Sequence, residues 1–313
     1  MRCPATLPYL LLAGYILGFA PLFAQDSTPA ESLEKRHWVK EFFRHPSLSA
    51  PQLAALHRLA QARPDLAWPM GEGIQNARNA HSTNTAKDLA DALKSDFTWL
   101  ECDVQLEGAF KKLPFMANRR AICAHQPLET AGLLFDQWAE IVSLSGRGAK
   151  IDFKNTGAIS SVLASLKKHG IPGHRLIFNF SVGSTIGVPG LKPAGAFMGV
   201  FVRQKELFQV RSQYPDAIIN LGLLTPGGED GKSYSKKQID LLIRYAQKIK
   251  GAVMFPLRAE YVSRQVVDWL KSFGRVAIWN DPNSYVPADL AEDERKFRDW
   301  GVTGMIDLRP QKE

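Results

Sequence analysis

A regular alternation of short apolar runs and helical segments, from about residue 68 onward, constrains the fold of this chain more than any other feature. Eight of the runs have the length of buried strands, and Gly170, Gly274 and Gly301 stand where helical segments should end. Strand followed by helix, repeated eight times over about 240 residues, is typical of a (β/α)8 barrel. The alternation therefore predicts an α/β fold of the TIM-barrel class over residues 68–313, with an open doubly wound sheet as the alternative.

The predicted strands occupy residues 73–81, 97–104, 149–155, 175–182, 217–225, 252–259, 275–281 and 301–308. A shorter apolar run at 121–127 lies between the second and third of them and is predicted to leave the second strand as a hairpin. Active sites of (β/α)8 barrels lie at the carboxyl ends of the strands. Polar residues at those ends are therefore the candidates for function.

The first 24 residues predict an export signal, because Arg2 precedes a long apolar run that ends at the small residue Ala24. An uncleaved anchor helix is the alternative, but Pro21 and the absence of basic residues after the run favour cleavage. The mature protein is then secreted or periplasmic, with no transmembrane segment. Residues 25–67 are predicted to form a linker and a short helical extension ahead of the barrel.

Charge and cysteine content exclude some classes of protein. The net charge is +8, and it becomes +7 when Arg2 leaves with the signal, which suits an anionic partner. Because the Lys and Arg residues are spread along the chain, no nucleic-acid-binding module is expected. Cys102 and Cys123 are the cysteines that remain, too few for a disulfide framework or a cysteine zinc site, although one bridge between them stays open.

Two acids interrupt the second predicted strand. Side chains alternate between the faces of a strand, so Glu101 and Asp103 point to one face, the lumen of the predicted barrel. The same alternation places Asp152 and Lys154 on the lumenal face of the third strand. Unpaired charges would be costly there, so the acids require a cation, a basic partner or shared protons.

Two histidines stand at predicted strand ends, His81 after the first strand and His125 after the short extra run. Imidazoles, carboxylates and a lysine at neighbouring strand ends are hard to explain by packing alone. Further inward-facing groups that could contact a ligand are Asn179, Arg258, Trp279, Asp281 and Asp307. A barrel-closing salt bridge for Arg258 and core packing for Trp279 are the alternatives.

Six segments carry a resemblance to a known family. They are HSTN at 81–84, LECDVQLEG at 100–108, AHQP at 124–127, AKIDFKN at 149–155, VMFPLRAEYV at 253–262 and AIWNDP at 277–282. Together they resemble the menorin-like domain family, a branch of the phospholipase C-like phosphodiesterase superfamily, over residues 74–309. The chain is similar, more distantly, to glycerophosphodiester phosphodiesterases and sphingomyelinase D-type phospholipases. It departs from the glycerophosphodiesterase pattern where HRG is HST and HD is HQ.

The resemblance implies a metal site. Glu101, Asp103 and Asp152 would bind one divalent cation, Mg²⁺ or Ca²⁺, through oxygen ligands. Lys154 would act with that cation to neutralise the charge of a phosphodiester in its transition state.

The resemblance also implies an acid–base pair, with His81 as base or nucleophile and His125 as acid. In the same site we expect Arg258 to grip a phosphate oxygen, Trp279 to stack on a headgroup and Asn179 to contact the substrate.

The implied function is an exported, metal-dependent phosphodiester hydrolase or lyase acting on a glycerophosphodiester or phospholipid-like substrate, either a small molecule or a lipid headgroup. The alternative is a catalytically inactive, secreted barrel of the same family that binds a ligand or a protein. A glycoside hydrolase fits less well, because Glu101 and Asp103 point the same way from one strand and do not flank a bond. The oligomeric state has no signal in the sequence.

Overall fold

The computed structural model describes residues 47–107, 120–125, 133–183, 201–223, 233–282 and 285–310. Residues Pro46–Glu313 form one compact unit. The predicted signal segment at 1–24 and the first part of the predicted linker, 25–46, lie outside the described residues. Among the described residues, no helix combines the length and the apolar character that crossing a membrane requires.

Each predicted strand region contains a strand. The strands are β1 Asn79–Ala80, β2 Trp99–Leu106, β3 Ala121–Cys123, β4 Leu133–Leu134, β5 Gly148–Phe153, β6 Leu176–Val182, β7 Ile218–Leu223, β8 Val253–Arg258, β9 Arg275–Trp279 and β10 Ile306–Asp307. The helices are α1 Ala50–Gln61, α2 Ala86–Lys94, α3 Phe135–Ser145, α4 Ile159–Lys168, α5 Gln204–Gln213, α6 Lys236–Ala246, α7 Arg264–Leu270 and α8 Leu290–Asp299. The first strand is shorter than predicted, because residues 74–76 form a 3-10 turn whose Ile74 is buried.

Strand β2 is the branch point of the sheet. One edge pairs in parallel with β5, and the other pairs with β1 at Trp99 and Leu100 and with the antiparallel β3 at Val104 to Leu106. Beyond β5 the parallel order continues through β6, β7, β8 and β9 to β10. The molecule is a mixed α/β fold with one large, mostly parallel sheet, which confirms the α/β part of the prediction. The predicted hairpin is confirmed by the pairing of β3 with β2.

One face of the sheet packs against helices. Leu100, Cys102 and Val104 of β2 belong to an apolar core that includes buried residues of α2, α3 and α4. Cys102 and Cys123 are both buried and free, so no disulfide joins β2 to β3. This face is apolar along the whole of β2, as strict alternation requires.

The opposite face, which carries Glu101 and Asp103, is called the site face below. Its amino-terminal end is an apolar cluster that includes Trp99, Ile177 and Met254 from three different strands. Trp68 packs edge-on against Trp99, with ring centroids 5.3 Å apart. Charged side chains follow on the same strands only beyond this apolar layer, toward the carboxyl ends.

Local sequence explains α2, the helix that follows β1. Thr85 caps its amino end, where the threonine side chain accepts a hydrogen bond from the Asp88 backbone N–H. Leu89, Ala92 and Leu93 are buried, three and four residues apart, which is the spacing of one helix face. The cap and the apolar stripe together fix where α2 begins and which side meets the sheet.

Glycine is required where α3 ends. Gly146 has φ of 70°, and a β-carbon there would lie 2.7 Å from the β-carbon of Ala67. Gly170 has a similar φ of 65°, but nothing lies within 4 Å of its β-carbon position. We expect Gly170→Ala to lower the free energy of unfolding by about 1 kcal/mol, the cost of left-handed backbone, and Gly146→Ala by about 2–3 kcal/mol, because a clash is added. Urea unfolding measures both, and equal losses would show that the Ala67 contact relaxes without cost.

Candidate functional site

The segment after β1 folds back onto β2. It forms hydrogen bonds with the β2 backbone at Glu101 and Asp103. The Thr83 backbone N–H and its hydroxyl both donate to the Glu101 carbonyl oxygen at 2.7 Å. Asn84 accepts from the Asp103 backbone N–H at 2.9 Å and donates through Nδ2 to Asp103 Oδ2 at 2.8 Å. Trp138 of α3 donates from Nε1 to the Thr83 hydroxyl at 2.9 Å. The HSTN segment therefore positions the Asp103 carboxylate.

Ser82 is in the left-handed region, with φ of 53°, and no other non-glycine residue of the described ranges has a positive φ. Its hydroxyl donates to Asp103 Oδ2 at 3.2 Å. Such a conformation costs roughly 1 kcal/mol or more for a residue with a β-carbon. The surrounding hydrogen bonds of Thr83 and Asn84 offset that cost and hold the loop over the acid.

Asp103, Asp152 and Asn179 form a row across three strands, because their positions are partners in the pairing of β2, β5 and β6. Lys154 Nζ lies 2.9 Å from Asp103 Oδ1 and 2.5 Å from Asp152 Oδ2. Asn179 donates from Nδ2 to Asp152 Oδ1 at 2.8 Å. The structure thus brings together two predicted metal ligands, the predicted lysine and one predicted binding residue.

A second group of side chains joins β1, β2 and β10. His81 Nδ1 lies 2.6 Å from Glu101 Oε2 and 3.2 Å from Asp307 Oδ2. Asn79 donates from Nδ2 to Asp307 Oδ2 at 2.8 Å and to Glu101 Oε2 at 3.2 Å. Side-chain contacts therefore connect β1 with β10, the strand at the far end of the parallel order.

Two acidic neighbours, Glu101 and Asp307, stabilise the protonated form of His81. Burial alone would lower the pKa of His81, but the charge of Glu101 and hydrogen bonds to Asp307 and Glu101 outweigh burial and raise the pKa to about 9. Burial would likewise raise the pKa of Glu101, yet His81 and Lys150 hold it below its ordinary value. In the protein without a bound cation, His81 is therefore positively charged at neutral pH.

Lys150 was missed at the level of the sequence. It is 8 % exposed, and its Nζ lies 3.4 Å from Glu101 Oε1. Burial would lower the pKa of Lys150, but Glu101, Asp307 and Asp152 outweigh burial and raise it. The alternation that placed Asp152 and Lys154 on the site face also places Lys150 there, two positions earlier, so the signal was present in the sequence.

The carboxylates have the chemistry of a hard-cation site. Oxygen atoms of Glu101, Asp103 and Asp152 lie within 4.8 Å of one another, and donor atoms of His81, Glu101 and Asp307 form a second such group. Carboxylate oxygens are preferred by Mg²⁺ and Ca²⁺. Lysines now neutralise part of this charge, since Lys150 and Lys154 contact the same carboxylates. The three predicted ligands therefore fit a divalent cation. That cation would compete with Lys150 and Lys154 for the carboxylate oxygens.

The two predicted catalytic histidines line the same cavity. It has a volume of about 1100 Å³, and its walls include His81, His125 and Asp307. Ser82 and Asn84, which contact Asp103, also line it. His125 is exposed. Glu101, Asp103 and Asp152 are not part of its lining, so His81, Ser82 and Asn84 are the residues that connect the cavity to Glu101 and Asp103.

Arg258 and Trp279 lie together on β8 and β9. The guanidinium of Arg258 stacks over the Tyr261 ring at 5.0 Å and the Trp279 ring at 5.3 Å. It also pairs with Glu260 and, at 3.5 Å, with Asp281 Oδ2. Its charge is therefore compensated within the protein by acids that directly follow β8 and β9.

Two of the solved structures that this chain resembles are remote. The arginine decarboxylase of Paramecium bursaria Chlorella virus is 13% identical with a TM-score of 0.27, over 55% of this chain and 54% of that one. The lysine decarboxylase of Selenomonas ruminantium is 14% identical with a TM-score of 0.27, over 55% of this chain and 52% of that one. This chain thus spans about half the length of the solved structures it matches.

The family comparison is far more extensive. The model of the menorin N-terminal domain matches residues 74–289, which is more than half of the chain. This range contains β1 through β9 and every predicted catalytic and metal-ligating residue, but not Asp307 of β10. The chain belongs to the menorin N-terminal domain family.

Proposed function

We propose that this protein is an exported, metal-dependent phosphodiester hydrolase or lyase. The observation that carries the proposal is the convergence of Glu101, Asp103 and Asp152, whose oxygen atoms lie within 4.8 Å of one another, with His81 Nδ1 2.6 Å from Glu101 Oε2. Oxygen ligands, a lysine and two imidazoles are the groups that phosphodiester cleavage needs. The proposed substrate is a glycerophosphodiester or a phospholipid-like headgroup.

The proposal includes closure of the sheet into a (β/α)8 barrel. Its support is the contact between the two ends of the parallel strand order, where Asn79 of β1 and His81, which follows β1, bond to Asp307 of β10. In a barrel the carboxyl ends of all the parallel strands surround one mouth. Closure would therefore place Arg258 and Trp279 around the same mouth as the carboxylates.

Each residue of the proposed site would have a separate role in this reaction. A divalent cation bound to the carboxylates would supply positive charge to a phosphoryl oxygen. His81 is held through Nδ1 by Glu101 and Asp307, so its Nε2 is the nitrogen that would exchange a proton with the substrate. His125, on the same cavity, would complete the pair, one histidine as base and the other as acid. Lys154 would place its ammonium group against the phosphodiester anion.

A second candidate is a secreted, catalytically inactive binding module of the same family. It is favoured by the pairing of Lys154 with Asp103 and Asp152 and of Arg258 with two acids, because these cations already have partners within the protein. A polar cavity of about 1100 Å³ is large enough for a small ligand.

Turnover of bis-p-nitrophenyl phosphate by the purified protein tests the proposal. We expect hydrolysis with Mg²⁺ or Ca²⁺ and its loss when a chelator removes the cation. Glycerophosphodiesters and phospholipid vesicles, assayed in parallel, identify the substrate class. No turnover across this panel, together with no cation binding by calorimetry, would reject the enzyme and favour the binding module.

A further inference from the structure

Lys154 occupies the gap between two proposed metal ligands. Its Nζ is 2.9 Å from Asp103 Oδ1 and 2.5 Å from Asp152 Oδ2. The remaining oxygen of each carboxylate has its own partner, Asn84 on Asp103 Oδ2 and Asn179 on Asp152 Oδ1. The carboxylates therefore stay oriented by neutral amides if the lysine leaves, and the oxygens it vacates face each other.

A divalent cation and the Lys154 ammonium compete for this place. Mg²⁺ or Ca²⁺ held by Asp103 and Asp152 would need the carboxylate oxygens that accept hydrogen bonds from Lys154 Nζ. Two positive charges a few ångströms apart in a buried site also repel each other strongly. The site accommodates either cation between these carboxylates, but not both together.

The backbone of Lys154 is fixed by a hydrogen bond, whereas its side chain is partly exposed. The Lys154 backbone N–H donates to the Val104 carbonyl oxygen at 2.9 Å, which fixes the main chain at the end of β5. Its side chain is 24% exposed, whereas that of Lys150 is 10% exposed. Lys154 thus has a path toward solvent at the carboxyl end of the sheet, and Lys150 is enclosed.

We propose that Lys154 is a tethered cation. Its ammonium group occupies the metal position between Asp103 and Asp152, and it moves toward solvent when a divalent cation binds there. This inference rests on the proposed metal-dependent function and adds a coupling within the same site. The displaced ammonium becomes available to an anion, so a phosphodiester and the divalent cation strengthen each other's binding. Without a divalent cation, Lys154 offsets part of the charge of the Asp103 and Asp152 carboxylates and occupies the place between them.

Calorimetry with Ca²⁺ tests the competition. We expect Lys154→Met to bind Ca²⁺ at least about tenfold more tightly than the natural protein, because the competing charge is gone. The matched control is Lys87→Met, which removes an exposed lysine paired with Asp91 on α2 and should leave the affinity unchanged. Equal affinity of the Lys154→Met variant and the natural protein would overturn the proposal.

Chemical labelling of the natural protein tests the movement and does not depend on a variant that folds. We expect acetylation of Lys154, followed by mass spectrometry, to be several-fold faster with saturating Ca²⁺, because the released amine leaves its ion pairs. Lys150 is the internal control and should remain unreactive in both states. A Lys154 rate that is unchanged or slower with Ca²⁺ would overturn the proposal.

The outcomes separate this inference from the proposed function. If only Lys154→Met binds Ca²⁺, the lysine does hold the site, and metal dependence of the natural enzyme is rejected. If both proteins bind equally, the tethered-cation role is rejected and the metal-dependent function stands. If neither binds, both are rejected.

Discussion

Asp103→Asn is expected to lower phosphodiester turnover by about 10³-fold, the loss that corresponds to roughly 4 kcal/mol of charge stabilisation by the cation. Asparagine keeps the volume of Asp103 but removes the charge that attracts the cation. It also removes one of the two carboxylates that contact Lys154. The rate with bis-p-nitrophenyl phosphate and the Ca²⁺ affinity by calorimetry measure the two consequences.

The matched control is Asp268→Asn on α7, an exposed acid that pairs with Lys271. It makes the same chemical change outside the site, so turnover and Ca²⁺ affinity should stay at the natural level. If Asp103→Asn retains more than half of the turnover, Asp103 is not a ligand of a catalytic cation, and the site has to be assigned elsewhere.

Lys150→Met is expected to lower the free energy of unfolding by about 3 kcal/mol, because it leaves Glu101 buried with one cationic neighbour fewer. Lys150 is 8 % exposed and Glu101 is 1 % exposed, so water replaces the lost ammonium poorly. His81 remains beside Glu101 at 2.6 Å, which limits the loss. Urea unfolding monitored by circular dichroism measures the change.

A second substitution identifies the cause of that loss. Adding Glu101→Gln removes the uncompensated charge, so the double variant should be more stable than Lys150→Met alone. Lys87→Met is the surface control and should cost less than about 0.5 kcal/mol. If Lys150→Met costs no more than the surface control, Lys150 does not compensate the charge of Glu101.

Much of the fold could be predicted because strands and helices have different apolar periods. The run at 97–104 predicted β2, and the structure places β2 at Trp99–Leu106 with Leu100 and Cys102 in the apolar core. The first predicted strand was wrong in length. Its residues 74–76 form a 3-10 turn in which Ile74 is buried in the apolar layer, so an apolar residue alone did not distinguish a turn from a strand.

The candidate site was predictable only in part. Alternation placed Glu101 and Asp103 on one face, and the structure keeps both side chains buried there. The same rule applied to Lys150, but its role was missed, since a buried lysine is recognised by its acidic partner and not by its spacing. The part of Asn84 in holding Asp103 was missed for the same reason, because it depends on the path of the loop after β1.

The sequence by itself determined the α/β class, the order of strands and helices, and which side chains share a face. These properties depend on local periodicity, which short windows of sequence contain. Only the tertiary structure decided that Asp307, 226 residues from His81, lies 3.2 Å from its ring, and that Lys154 lies between Asp103 and Asp152. Such contacts depend on how strands that are distant in sequence pack together, and on which partner stabilises a buried charge best. A short window of sequence determines neither of these.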